Sequence, residues 1–177
     1  DGHCFQRFNL ERGMTTQING DTGVSQCQPN SVSQDDLQSG VVGKGPLFRA
    51  RSVGSTAIPT GAGGAVISLL TEDYDTSAAF ASNAFTPQVA GWYQVQGNID
   101  WGNTTTALCQ LAISKNGTDF NVVRGAISGT LSISQSISDL IYLNGTTDNI
   151  ALKAYQYTAG SLNVTSATFS ACLVRAA

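Results

Sequence analysis

The chain has 177 residues, of which 41% are hydrophobic and only 12% charged, and it carries a net charge of −3. That length suits one main domain with an appendage, and the charged share is about half the ~25% of an ordinary soluble domain. Nucleic-acid binding needs a basic stripe, and none is present; no apolar run reaches the ~18–20 residues that would insert in a membrane.

Surface polarity therefore falls to Ser, Thr, Asn, Gln and Gly, a composition that suits secreted, virion and carbohydrate-facing proteins. Residues 1–45 hold few large apolar side chains. Phe5, Phe8, Leu10 and Met14 have roughly helical spacing, but Gly13 and Thr15-Thr16 interrupt it. Cys4 and Cys27 share this sparse segment, which lacks a core and would gain from a disulfide. Cys109 sits in a strand-like run and reads equally well as a buried free thiol. A short helical turn is expected over 33–39, with Ser33 as cap, Asp36 three residues on and Gly40 as stop. Gly43-Lys44-Gly45-Pro46 reads as a hinge. The expected division is an attachment segment at 1–45, mostly irregular, and a head at 46–177.

From Pro46 onward the pattern becomes short strands. The first is 47–51, and 65–70 is a short apolar run. Ala107, Cys109, Leu111 and Ile113 alternate, and Asn116-Gly117 supplies a hairpin turn toward a return strand at 120–127. Leu131, Ile133, Gln135 and Ile137 share one parity. Asn144-Gly145 marks another turn, followed by Ile150, Leu152 and Ala154. Leu162, Val164, Phe169, Ala171 and Leu173 close the chain. No 3.6-residue stripe persists, so the head is expected to be an all-β sandwich or barrel.

Several segments, in order, carry a resemblance. They are Phe48-Arg49-Ala50, Phe85-Thr86-Pro87, Ala90-Gly91-Trp92-Tyr93-Gln94-Val95, Leu140-Ile141-Tyr142-Leu143, Asp148-Asn149-Ile150-Ala151-Leu152, Tyr155 and Phe169-Ser170-Ala171-Cys172-Leu173. Together they resemble the jelly-roll heads of complement C1q and the tumour necrosis factor family. The resemblance implies Phe85 and Tyr93 between two sheets, Gly91 at a tight start to a central strand, and a 144–148 loop between antiparallel strands. It also implies a homotrimer that binds and does not catalyse. The segment before the head has no Gly-X-Y repeat. Its stretch from Asn30 to Pro46 is similar to linkers that precede such heads in bacteriophage tail fibres and other virion proteins. The implied role is the trimeric head of a tail fibre or spike that contacts a host glycan or protein, with residues 1–45 docking on other virion proteins. The alternatives are a capsid decoration protein that docks through 1–45 and a secreted complement-like binding protein.

Chemistry is scarce. The single histidine, His3, adjoins Cys4, and a nucleophile and its base normally come from distant parts of a fold. Gly61-Ala62-Gly63-Gly64 lacks the spacing and the helix of a dinucleotide loop. No cofactor and no metal are expected, although Asp73 and Asp75 could contribute oxygens to a calcium ion. Four sequons, at Asn103, Asn116, Asn144 and Asn163, would carry glycans only in a eukaryotic secreted protein. The candidate ligand-binding residues are Asp100, Trp101 and Asn103, with Tyr155 and Tyr157. Trp101 between an acid and an amide suits stacking on a sugar, and the competing reading packs it in the core or a subunit seam.

Overall fold

The alternation of apolar and polar residues sets up strands throughout the head, and the chain folds accordingly. A computed structural model describes residues 45–61, 63–102, 107–127, 132–157, 160 and 162–177. Outside them lie the expected 33–39 turn, most of the hinge, His3, Asn103 and the Cys4–Cys27 pair. Twelve strands are described: β1 (Leu47–Arg51), β2 (Thr56–Ile58), β3 (Ala65–Val66), β4 (Thr71–Asp75), β5 (Phe80–Ala81), β6 (Ala84–Phe85), β7 (Gly91–Trp101), β8 (Ala107–Lys115), β9 (Thr118–Ile127), β10 (Ser134–Leu143), β11 (Ile150–Gln156) and β12 (Leu162–Ala176). No helix occurs among the described residues.

Two antiparallel sheets form the sandwich. The first has the order β10-β7-β12-β1-β4, with β2 pairing the start of β12; the second has the order β5-β6-β11-β8-β9, with β3 on β11. The expected 107–115 and 118–127 hairpin is present. Asn116 and Gly117 turn it with positive φ at both positions, 53° and 80°, the backbone that matches strand twist and that Asn-Gly adopts cheaply. The 144–148 loop behaves differently from expectation. β10 lies in the first sheet and β11 in the second, so the loop crosses between layers and does not close a ladder. Of the 65–70 run only two residues pair as strand, while Ile67 and Leu69 are buried as plugs.

Strand parity builds the core. Tyr93, Val95, Ile99 and Trp101 of β7 point inward and are buried; Trp92, Gln94 and Gln96 point out. β12 keeps its apolar residues inward over fifteen positions only because the register shifts between Val164 and Ser166. That bulge moves the inward set from even to odd numbers, so Leu162 and Val164 face the same way as Ala167, Phe169 and Ala171. Phe48 ties the layers together: its ring stacks on Phe85 at 4.3 Å and on Phe80 at 5.0 Å, and meets Phe169 edge-on at 5.3 Å. Phe85 in turn meets Tyr93 edge-on at 5.8 Å, and the Tyr93 hydroxyl donates to Val89 O at 2.8 Å. Burial pushes the Tyr93 phenol up to about 12.

The strand register also gives the head two poles. Gly91 begins β7 opposite Leu143 and Ala176. A Cβ at Gly91 would sit 2.4 Å from Arg175 O, so only glycine lets β7 start this close to β12. At this proximal pole Leu173 N donates to Pro46 O at 3.0 Å, and Ala177 N donates to Ala90 O at 2.9 Å. Both ends of the head therefore meet here. Trp101 ends β7 at the distal pole, roughly 30 Å away for a strand of this length.

Phe48→Ala removes the ring that three others pack on. It is expected to cost about 3–5 kcal/mol, read as a lowered urea midpoint, with Phe48→Leu costing clearly less.

Candidate binding surfaces

The distal pole holds most of the expected ligand-binding residues, but the fold distributes them. Asp100 lies on the outer face of the first sheet, where it accepts a hydrogen bond from the Ser134 hydroxyl. Trp101 is the next residue and therefore faces the other way. It is fully buried, and its indole N–H donates to Gln135 Oε1 at 2.7 Å. No ligand can stack on it, and the sugar-stacking role expected for Trp101 is set aside for a core role. Among the described residues the Gln135 amide nitrogen has no partner, so the indole is what holds that buried side chain.

Tyr155 and Tyr157 lie on the outer side of the second sheet. Tyr155 is almost wholly covered, and its hydroxyl reaches both Asp119 oxygens, at 2.8 and 2.7 Å. Burial pushes its phenol up, and the Lys153 ammonium sits 5.2 Å from its ring centroid. That cluster fastens β11 to the start of β9 and leaves no face of the ring open for a ligand. Tyr157 is different: it is 42% exposed beside an exposed Leu108, whose carbonyl accepts its N–H at 3.0 Å. Asp100 and Tyr157 thus share a pole and not a face. One protomer does not bring the expected set into a single pocket.

The acids considered for calcium are already employed. Asp73 is shared by Arg51, at 2.8 Å, and Arg49, at 3.4 Å. Asp75 accepts the backbone N–H of Ser77 at 3.1 Å and of Phe80 at 2.6 Å, closing its own turn. No metal-holding cluster occurs among the described residues. Two of the sequon asparagines are likewise occupied. Asn144 Oδ1 accepts three backbone N–H groups, from Thr146, Thr147 and Asp148. Asn116 accepts from Asn149 N and donates to Asp148 Oδ1, at 2.9 and 2.8 Å. The amide nitrogens, where a glycan would attach, also donate within the fold, from Asn116 to Asp148 Oδ1 and from Asn144 to Thr147 Oγ1 at 2.9 Å. Cys109 is a buried free thiol whose pKa burial pushes up to about 11, and Cys172 is free and exposed.

Sequence reasoning missed one surface. At the proximal pole the outer face of the first sheet carries Trp92, Leu140, Tyr142 and Val174, with exposures of 44%, 45%, 38% and 43%. Trp92 stands directly opposite Tyr142 in the ladder, with ring centroids 5.7 Å apart in a T-shaped contact. Lys115 donates to Tyr142 O at 2.7 Å and pairs with Asp148 Oδ2 at 2.9 Å. The signal was available: Trp92 and Tyr93, like Leu140 and Ile141, are apolar at consecutive positions, so those strands are apolar on both faces.

This architecture is a jelly-roll head of the complement and tumour necrosis factor kind, all-β and two-layered. Solved structures with the same fold include the globular domain of a zebrafish complement 1qA protein, at 15% identity and TM-score 0.56, covering 75% of this chain and 98% of that one. Murine APRIL matches at 11% identity and TM-score 0.52, covering 73% of this chain and 98% of that one. The PRD1 vertex protein P5 matches at 18% identity and TM-score 0.50, covering 73% and 97%. No protein-family model and no curated protein matches the sequence.

Two predictions arise from these contacts. Trp101→Phe strips Gln135 of its donor and leaves space where the larger indole packed, and is expected to cost at least about 1–3 kcal/mol in urea unfolding. The second concerns acid. Hydrogen bonds from Asn116 and then Lys115 hold the Asp148 carboxyl below its usual range. A depressed folded pKa stabilises the head above the unfolded value, about 3.9, and that stabilisation is lost as pH falls through the folded value. Unfolding at pH 7 and pH 3 should therefore show a large acid loss in the wild type and a smaller one in Asp148→Asn.

Proposed function

We propose that this chain is a structural protein of a bacteriophage virion, and that its jelly-roll head is the trimeric tip of a tail fibre or spike touching the host surface. The observation that carries this reading is the polarity of the head. Residue 45 and the chain end meet at the proximal pole, where Leu173 bonds Pro46 and Ala177 bonds Ala90. The chain enters the head at that pole, and the distal pole is the opposite end of β7. The distal pole is where the candidate contact residues Asp100 and Tyr157 fall. Its neutral, hydroxyl- and amide-rich surface suits hydrogen bonding to a glycan or a protein, with an exposed Tyr157 as the aromatic contact. Three copies would turn weak single contacts into avidity. The fold shared with a phage vertex protein supports a place on a virion. Catalysis has no part in the reading.

The same vertex-protein likeness favours a second reading. In it residues 1–45 dock on the capsid, and the head is a stabilising knob on the shell. A secreted complement-like protein glycosylated at Asn116 and Asn144 is less favoured, because both amide nitrogens donate within the fold.

Immunogold electron microscopy of particles carrying this protein separates the readings. Label at the tips of tail appendages, together with adsorption of the isolated protein to host cells, is the expected result. Label spread over the shell, with binding to emptied capsids and not to cells, would replace the fibre-tip reading with decoration.

A further inference from the structure

The outer face of the second sheet carries a shelf at its distal end. The ladder sets Gln110 between Tyr155 and Arg124, and Leu108 beside Ala126. The Tyr157 N–H donates to Leu108 O at 3.0 Å, which continues the same register and puts Tyr157 on the other side of Leu108. Residues two apart on a strand share a face, so all these positions look outward. Tyr157, Leu108 and Ala126 are exposed. They form an apolar strip across two strand spacings, on the order of 10 Å long.

Two polar groups border the strip with their bonding capacity unused. Gln110 is more than nine-tenths buried, at 8% exposure, and its side chain makes no hydrogen bond among the described residues. Unlike the Gln135 amide nitrogen, neither of its amide atoms is sealed from solvent, so the amide opens outward beside the strip. A largely buried amide without a partner is costly, and a ligand oxygen at this point would complete it. Arg124 is exposed and has no carboxylate partner among the described residues. Lys153, the other cation of this face, is balanced by Asp119 at 3.5 Å.

We propose that Tyr157, Leu108, Gln110 and Arg124 form a binding site for a hexuronic acid residue, a pyranose that carries a carboxylate. The inference rests on the proposed contact with a host-surface glycan and names the class of sugar. The flat strip takes the C–H face of the ring. The Gln110 amide bonds a ring hydroxyl, and the Arg124 guanidinium takes the carboxylate in a two-bond fork. The spacing suits one ring. Tyr157 and Arg124 are two strands and two residues apart, about 12 Å between Cα atoms, and both side chains reach into that gap. Size argues against a protein partner, since a standard interface takes ~800 Å² per side, far more than a strip three residues wide. A neutral sugar would leave the Arg124 charge unmatched, and that selects the acidic class.

Saturation-transfer NMR of the full chain tests this. The probes are the methyl glycosides of glucuronic and galacturonic acid, beside those of glucose and galactose, which are the same rings without the carboxylate. The wild type is expected to bind at least one uronide, about tenfold or more tightly than its neutral counterpart, by a margin that shrinks as salt is raised. Arg124→Gln should erase that margin. Tyr157→Ala should weaken acidic and neutral sugars alike, by about tenfold or more. Both side chains are exposed, so the thermal melts of the two variants should match the wild type. A wild type that binds no uronide, or holds it no better than the neutral ring, overturns the site, as does an Arg124→Gln protein that keeps the preference. Adsorption of the isolated protein to host cells separates the site from the fibre-tip reading. Adsorption without uronide binding overturns the site and leaves the fibre tip standing. Uronide binding without adsorption keeps the site and overturns the fibre tip.

Discussion

The stack of Phe48 on Phe85 is the contact on which the head depends. Phe48 belongs to the first sheet and Phe85 to the second, and their centroids lie 4.3 Å apart. Two sheets about 10 Å apart can be bridged only by side chains of this length, and offset stacking adds to the area that the rings bury. Phe80, Phe169 and Tyr93 extend the contact along both layers. Once these rings meet, register follows. β1 must sit against β12 so that Phe48 faces inward opposite Ala171, and β6 must sit against β11 so that Phe85 faces inward opposite Ile150. A slip of one residue in either ladder would turn a phenylalanine into solvent.

The cross-layer contact also explains why the 144–148 loop is so heavily bonded. The chain leaves the first sheet at Leu143 and enters the second at Ile150, with few residues in which to change layer. The backbone N–H groups exposed by that turn are met by Asn144, and Asp148 draws in Asn116 and Lys115 from the neighbouring hairpin. Lys115 then reaches Tyr142 on the outer side. A loop that looks polar and dispensable in sequence is therefore the strut between the second sheet and the aromatic surface of the first.

Much of this was legible in the sequence because it is carried by period. Alternation placed β1, the Asn116-Gly117 hairpin and the inward residues of β8 correctly. The resemblance placed Phe85, Tyr93 and Gly91. What failed was chemistry read without parity. Trp101 between Asp100 and Asn103 has the composition of a sugar site, yet it is an even number of residues from Tyr93, Val95 and Ile99, and that count puts it inside. Tyr155 and Tyr157 share a parity, so parity could not divide them. Their difference comes from Asp119, more than thirty residues away, which covers one phenol and not the other. The proximal surface was overlooked for the opposite reason. Consecutive apolar residues on β7 and β10 make those strands apolar on both faces, and no motif marks that pattern.

Charge scarcity gives these faces their meaning. A sheet with long strands and few charges is open to edge and face association. This one carries Asp139 at an inward position of its edge strand β10, paired with its own backbone neighbour Leu140 N at 2.7 Å, which discourages another strand from pairing there. Edge-to-edge growth is thus opposed, while the flat outer face is left with an aromatic anchor and neutral donors and acceptors. The same low charge leaves Ser, Thr, Asn and Gln to make most of the polar surface, with an apolar cluster of Trp92, Leu140, Tyr142 and Val174 at the proximal pole. That cluster and the distal residues stay separate because β7 sets them about one strand length apart.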